Sequence, residues 1–181
     1  MTTPTRDGPP RALLIAATVL AVGAVVALLV VAALRHREPA PQPVAIAAVP
    51  APQADGADCR ALLHALPDQL GDYHRAPTAD PTPAGAAAWQ SSPEAEPVIL
   101  RCGLDRPSDF VVGAPIQVVD AVQWFSAADP TGGRATWFTV DRPVYLALTL
   151  PSGSGPTPIQ EISELVAKVL PATPIDPGPP R

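Results

Sequence analysis

The stretch Pro97-Val98-Ile99-Leu100-Arg101-Cys102-Gly103-Leu104 decides the fold of this chain of 181 residues. Side chains of a β-strand point alternately to its two faces. One face of this stretch therefore carries only apolar side chains, those of Val98, Leu100, Cys102 and Leu104. The pattern predicts a strand that lies against a hydrophobic core, with Cys102 pointing into that core.

Elements on both sides of this strand predict one α+β domain over about residues 58–170. Upstream, a short helix begins at Asp58, and Cys59 lies on its apolar face together with three leucines at helical spacing. Downstream, runs rich in apolar residues predict further strands, and a helix with one apolar face begins at Thr157. The order helix, strands, helix predicts a mainly antiparallel sheet with two helices on one face.

An uncharged apolar run, residues 12–34, precedes the domain and is long enough to span a membrane. At a rise of about 1.5 Å per residue, such a helix crosses a hydrocarbon core about 30 Å thick. We predict an uncleaved transmembrane signal anchor, with residues 1–11 as a cytoplasmic tail and the remainder outside the cell membrane. The alternative is a cleaved signal peptide, after which the domain would be secreted.

Two proline-rich segments flank the domain. Proline fixes φ and lacks the N–H that a helix or a sheet needs. We therefore predict that residues 35–57 form an extended linker that holds the domain away from the membrane. By the same reasoning, residues 171–181 are predicted to be a disordered proline-rich tail.

The chain has only two cysteines, and each lies on an apolar face. In a chain that begins with an export signal, such a pair predicts a disulfide between Cys59 and Cys102. Two buried free thiols are the alternative interpretation. The spacing of the pair does not form a Cys-x-x-Cys motif, which disfavours a redox role.

Charge and motifs exclude several function classes. From Glu38 onward the chain has 8 Lys and Arg against 16 Asp and Glu, a net charge of −8. Nucleic-acid binding is therefore not expected, because neutralising phosphates requires clustered basic residues. His64, His74 and Asp72 are too loosely spaced for a metal site. No metal, cofactor or catalytic residue is predicted.

Several stretches resemble an uncharacterised family of actinobacterial membrane-anchored or secreted envelope proteins. The most specific of them is Leu100-Arg101-Cys102-Gly103. The others are Asp58-Cys59, Arg106-Pro107, Phe138-Thr139-Val140 and Val144-Tyr145. The resemblance implies a single-pass protein of the cell envelope, and it assigns no functional residues.

One candidate partner surface follows from the strand pattern, because Arg101 faces away from Cys102. We predict that a polar and aromatic surface lies on the sheet face without helices. Its residues are Arg101, Trp124, Trp137, Arg142 and Tyr145. Arginine and aromatic side chains are enriched at binding hot spots. The alternative is an ordinary solvated face with a partly buried Arg–Asp pair.

We predict that the extracytoplasmic domain is not catalytic and binds an envelope protein or a cell-wall polymer. Residues 12–34 are predicted to contact the lipid bilayer. The alternative is an envelope hydrolase or small-ligand binder. In that alternative the proline-rich residues 70–96, predicted as a long loop with one short strand or turn at Trp89, act as a lid over the site.

Overall fold

The computed structural model describes residues 11–35, 42–127 and 133–180, which divide into two units between Ala40 and Pro41. The described part of the first unit is helix α1 (Arg11–Arg35). Its segment Arg11–Ala32 has a mean hydropathy of 2.9 and none of it is buried. By length and composition α1 can cross a membrane, as predicted, although a signal sequence has the same properties.

The second unit is an α+β domain, which confirms the predicted fold class. Helices α2 (Ala57–Ala65) and α3 (Thr157–Val169) are separated along the chain by the strands of one sheet. The strands are β1 (Gln69–Leu70), β2 (Tyr73–Arg75), β3 (Ala86–Gln90), β4 (Val98–Leu104), β5 (Ile116–Val119), β6 (Val122–Ala127), β7 (Arg134–Thr139) and β8 (Tyr145–Pro151). They are ordered β1-β2-β3-β4-β8-β7-β6-β5, and every neighbouring pair is antiparallel.

Both α2 and α3 pack on one face of this sheet, which we call the inner face. The alternating strand residues and the apolar stripes of the helices form the main core there. Its largest fully buried members include Leu62, Trp89, Leu100, Trp124, Leu146 and Ile162. Two polar side chains of this core pair with each other: the Trp124 indole donates to the Ser163 hydroxyl at 2.9 Å, and that hydroxyl donates to the Ile159 carbonyl at 2.7 Å.

Residues 70–96 do not form one long loop, because they contribute strands β2 and β3 to the sheet. The short strand or turn predicted at Trp89 corresponds to β3. Trp89 of β3 is fully buried, and its indole donates to the Pro67 carbonyl at 2.9 Å. The run Ala86–Ala88 has little strand propensity of its own. It is a strand because its small side chains fit against β4, with Ala87 opposite Leu100.

The described parts of the proline-rich segments, residues 42–57 and 171–180, also differ from the predicted linker and tail; residues 36–41 and 181 lie outside the described residues. Val44 and Ile46 are buried against Ile99 on the second face of the sheet, which we call the outer face. Towards the C-terminus, the Gly178 N–H donates to the Phe110 carbonyl at 2.8 Å. Proline has no backbone N–H to donate, but its carbonyl still accepts hydrogen bonds, and the residues beside it keep both groups. Proline-rich segments can therefore form backbone hydrogen bonds with the rest of the domain.

The segment from Gln42 to Ala54, here called the entry segment, meets β4 beside the disulfide. Cys59 and Cys102 are bonded, which ties α2 to β4. At the next residue, the Gln53 N–H donates to the Gly103 carbonyl at 3.1 Å. Gly103 has φ +87°, and a Cβ there would overlap the backbone of Gln53 and Ala54.

Replacing Gly103 with alanine is expected to destabilise the domain by about 3 kcal/mol or more, through backbone strain plus steric overlap. Gly113→Ala is the matched control: Gly113 has φ +88° with no atom near its Cβ position, so only strain of about 1–2 kcal/mol applies. Urea unfolding followed by tryptophan fluorescence measures both variants. Equal losses of unfolding free energy in the two variants would show that packing of the entry segment does not require glycine at position 103.

Removing the disulfide by a Cys59→Ser, Cys102→Ser double substitution is expected to cost about 4 kcal/mol, since the bond closes a long loop. The sequence separation is 43 residues. Unfolding midpoints of oxidised protein, reduced protein and the double variant provide the measurement. Reaction of either cysteine with a thiol reagent before reduction would contradict the bond.

Candidate functional site

The five residues of the predicted surface do not form one surface. Trp124 is completely buried in the main core, and Trp137 packs against that core on the inner face. Arg101 alternates with Cys102 and therefore lies on the outer face, where Tyr145 also packs. The prediction failed because it placed the two tryptophans on the face opposite the helices.

Arg142 is a structural residue rather than part of a surface. Its guanidinium forms an ion pair with the Asp141 carboxylate at 2.8 Å, and the two side chains are 2% and 5% exposed. It also donates to the carbonyls of Asp141 and Ala121 at 2.8 and 2.7 Å. The Asp141 carboxylate in turn accepts the Gln123 N–H at 3.1 Å, so the pair joins β6 to the segment after β7.

The outer-face residues Arg101 and Tyr145 are half-buried by neighbouring segments. Arg101 donates to the Ala47 carbonyl of the entry segment at 3.4 Å. Burial, and to a smaller degree the nearby charge of Arg134, lowers the pKa of Arg101. Burial raises the pKa of Tyr145, opposed by Arg106 and reinforced by Asp176. Arg101 and Tyr145 are thus enclosed in part by the segments that cover the outer face.

A cleft of about 660 Å³ opens beside the N-terminus of α3 and is the candidate functional site. Its volume lies within the range typical of ligand sites. Its apolar lining includes Val119, Trp137, Leu150 and Ile159. Its polar lining includes Gln117, Asp120, Ser152 and Gln160.

Two turns shape this cleft. The tight turn between β5 and β6 contains Asp120, a non-glycine residue with φ +52°. The loop before α3 contains Gly153 and Gly155 at φ +79° and +70°, conformations that glycine adopts without strain. This loop brings the chain from the end of β8 to the start of α3, next to Trp137.

Trp137 is the tryptophan that solvent can reach. Trp89 and Trp124 are 0% exposed, whereas Trp137 is partly exposed. The indole N–H groups of the two buried residues donate to protein acceptors, but that of Trp137 makes no hydrogen bond to any described residue. The strand pattern indicated Trp137 as a candidate residue, but no pattern in the sequence indicated the other residues of the cleft. The glycines before α3 predicted only a flexible loop.

Few ionisable side chains line the cleft. Among its described lining residues, Asp120 and Arg134 are charged, and none is a histidine or a cysteine. His64, His74 and Asp72 are exposed, and in the described ranges no three His, Cys, Asp or Glu residues group as a metal site requires. Residues 70–96 include strands β2 and β3, and none of them is among the described residues that line the cleft.

Comparison with known proteins gives one match. A family model described as "Protein of unknown function (DUF3515)" matches residues 18–175. No curated protein and no solved structure matches the chain. The match includes most of α1 and the whole sheet, so the helix and the domain belong to one family unit.

Replacing Arg142 with methionine is expected to cost about 3–5 kcal/mol, because it leaves the buried Asp141 carboxylate without its cation. Arg106→Met is the matched control. Arg106 pairs with Asp176, whose side chain is 86% exposed, so its loss should cost below about 1 kcal/mol. Urea unfolding compares the two variants, and similar losses would contradict a structural role for Arg142.

Proposed function

The chain belongs to the DUF3515 family, whose function is unknown, and we propose that it is a binding module of the actinobacterial cell envelope. In this proposal α1 remains in the cell membrane as an uncleaved anchor. The disulfide-linked domain lies outside and binds an envelope protein or a cell-wall polymer. The resemblance of the Leu100–Gly103 stretch to envelope proteins supports this location.

The observation that carries the proposal is the exposed apolar surface of α1. Its segment Arg11–Ala32 has no buried part, and its large apolar side chains, such as Leu20 at 75%, are exposed. Exposing so much apolar surface to water is unfavourable by about 25 cal/mol per Å². A lipid environment removes this cost, whereas no protein surface within the described residues does so.

The disulfide supports an extracytoplasmic position for the domain. Such bonds form and persist in oxidising compartments and are rare in the cytosol. The bond between Cys59 and Cys102 is completely buried and ties the first helix of the domain to a central strand. The fold therefore depends on a bond that export would favour.

Binding rather than catalysis is supported by the cleft beside α3. It is concave and holds an accessible tryptophan. Its described polar side chains are two amides, two serine hydroxyls, the Asp120 carboxylate and the Arg134 guanidinium. The net charge of −8 after residue 37 favours a partner other than nucleic acid.

Cysteine labelling tests the membrane topology in cells of an actinobacterium that express the full chain. The native cysteines are bonded to each other, so a membrane-impermeant maleimide should react only with an introduced thiol. We expect Ser91→Cys, in an exposed turn, to be labelled in intact cells. Thr3→Cys, before α1, should be labelled only after permeabilisation.

Tags at both ends of the same protein distinguish an anchor from a cleaved signal peptide. An anchor leaves both tags on one membrane-bound product. A shorter soluble product without the N-terminal tag would show secretion instead. Failure to label Ser91→Cys in intact cells, with labelling after permeabilisation, would overturn the extracytoplasmic assignment.

A further inference from the structure

We infer that the cleft beside α3 binds an uncharged segment of carbohydrate, with Trp137 as the surface on which a sugar ring stacks. The inference rests on the proposed binding function and names the ligand class of the same site. It follows from the combination of one accessible indole with exposed amide, hydroxyl and carboxylate groups that have no partner among the described residues.

Trp137 has the properties of a stacking residue. It lies on β7 opposite Leu148, so its position is set by a central pair of strands rather than by a loop. Part of its side chain packs on the main core, and the rest remains accessible. The face of an indole ring carries partial negative charge, which attracts the weakly positive C–H groups on the face of a sugar ring.

The polar lining has the hydrogen-bonding capacity that sugar hydroxyls require. Each hydroxyl both donates and accepts, and an amide side chain such as that of Gln117 or Gln160 offers both functions. The Asp120 carboxylate adds strong acceptors. These three side chains are exposed, and none makes a hydrogen bond within the described ranges. Their hydrogen-bonding groups are therefore available to a ligand.

An extended peptide is the main competing ligand, because β5 is an edge strand that pairs with only one other described strand, β6. A peptide that adds to this edge would depend on backbone groups of Ile116–Val119, not on Trp137. The strand is only four residues long, which limits the ladder that it can form. The polar side chains of the cleft have no role in that binding mode, whereas a sugar uses them.

Tryptophan fluorescence of the full chain in phosphatidylcholine nanodiscs tests the inference. Alkyl-glycoside detergents are avoided because their headgroups would compete. All three tryptophans lie in the domain and two are completely buried, so a ligand in the cleft should change the signal of Trp137 alone. We expect saturable changes with cellotetraose or chitotetraose, and protection of Trp137 from quenching by acrylamide.

Variants assign the binding to the cleft, with calorimetry as the second readout. Trp137→Phe should weaken saccharide binding about tenfold. Gln160→Ala and Gln117→Ala should each weaken saccharide binding about threefold or more. Because both glutamines are exposed, these variants should fold even if Trp137→Phe does not, so the inference can still be tested. Gln53→Ala, an exposed glutamine of the entry segment, is the matched control and should bind normally.

Saccharide binding that is unchanged in Trp137→Phe and Gln160→Ala would overturn the inference, as would no binding of either tetrasaccharide at millimolar concentration. Saturable binding of a threonine–valine hexapeptide without saccharide binding would assign the site to a peptide instead. Nanodiscs that contain a digalactosyl lipid test whether the carbohydrate is a glycolipid headgroup, whereas the tetrasaccharides test a polymer segment. Binding of either carbohydrate supports the inference. None of these results bears on the cysteine labelling, which tests the membrane anchor independently.

Discussion

The structure depends on the close approach of three chain segments at Cys102 and Gly103. The disulfide fixes α2 to β4 on the inner face, and the entry segment meets the backbone of Gly103 at the next residue. A side chain at Gly103 would overlap that segment, so the contact requires glycine. The dipeptide Cys102-Gly103 of β4 thus holds both α2 and the entry segment.

Because the entry segment packs on the outer face, the domain begins earlier than its proline content indicates. Val44 and Ile46 cover Ile99, and the C-terminal segment near Gly178 pairs with the loop that holds Phe110. Each segment shields part of the face that the helices leave uncovered.

The three tryptophans show how residues of one type occupy different environments in this fold. Trp89 and Trp124 are buried, and their indole groups donate to Pro67 and Ser163. Burial of these donors without partners would be costly, so both residues stabilise the fold. Trp137 packs against the same core, but it lines the cleft beside α3 and its donor is available. In the binding mode that we propose, this position lets Trp137 contact the ligand.

Local sequence patterns determined the fold class, the apolar N-terminal helix, the strand at Val98–Leu104 and the pairing of its cysteine. The strand and the domain helices follow from periodicities of 2 and 3.6 residues, which are visible within a short window. The N-terminal helix follows from an uninterrupted apolar run, and the disulfide from the presence of only two cysteines, each on an apolar face. Only the tertiary structure decided that Ala86–Ala88 forms a strand, that Arg142 is buried with Asp141, and that Trp137 lines a cleft. Each of these depends on contacts between segments distant in sequence, and no local pattern specifies which segments meet.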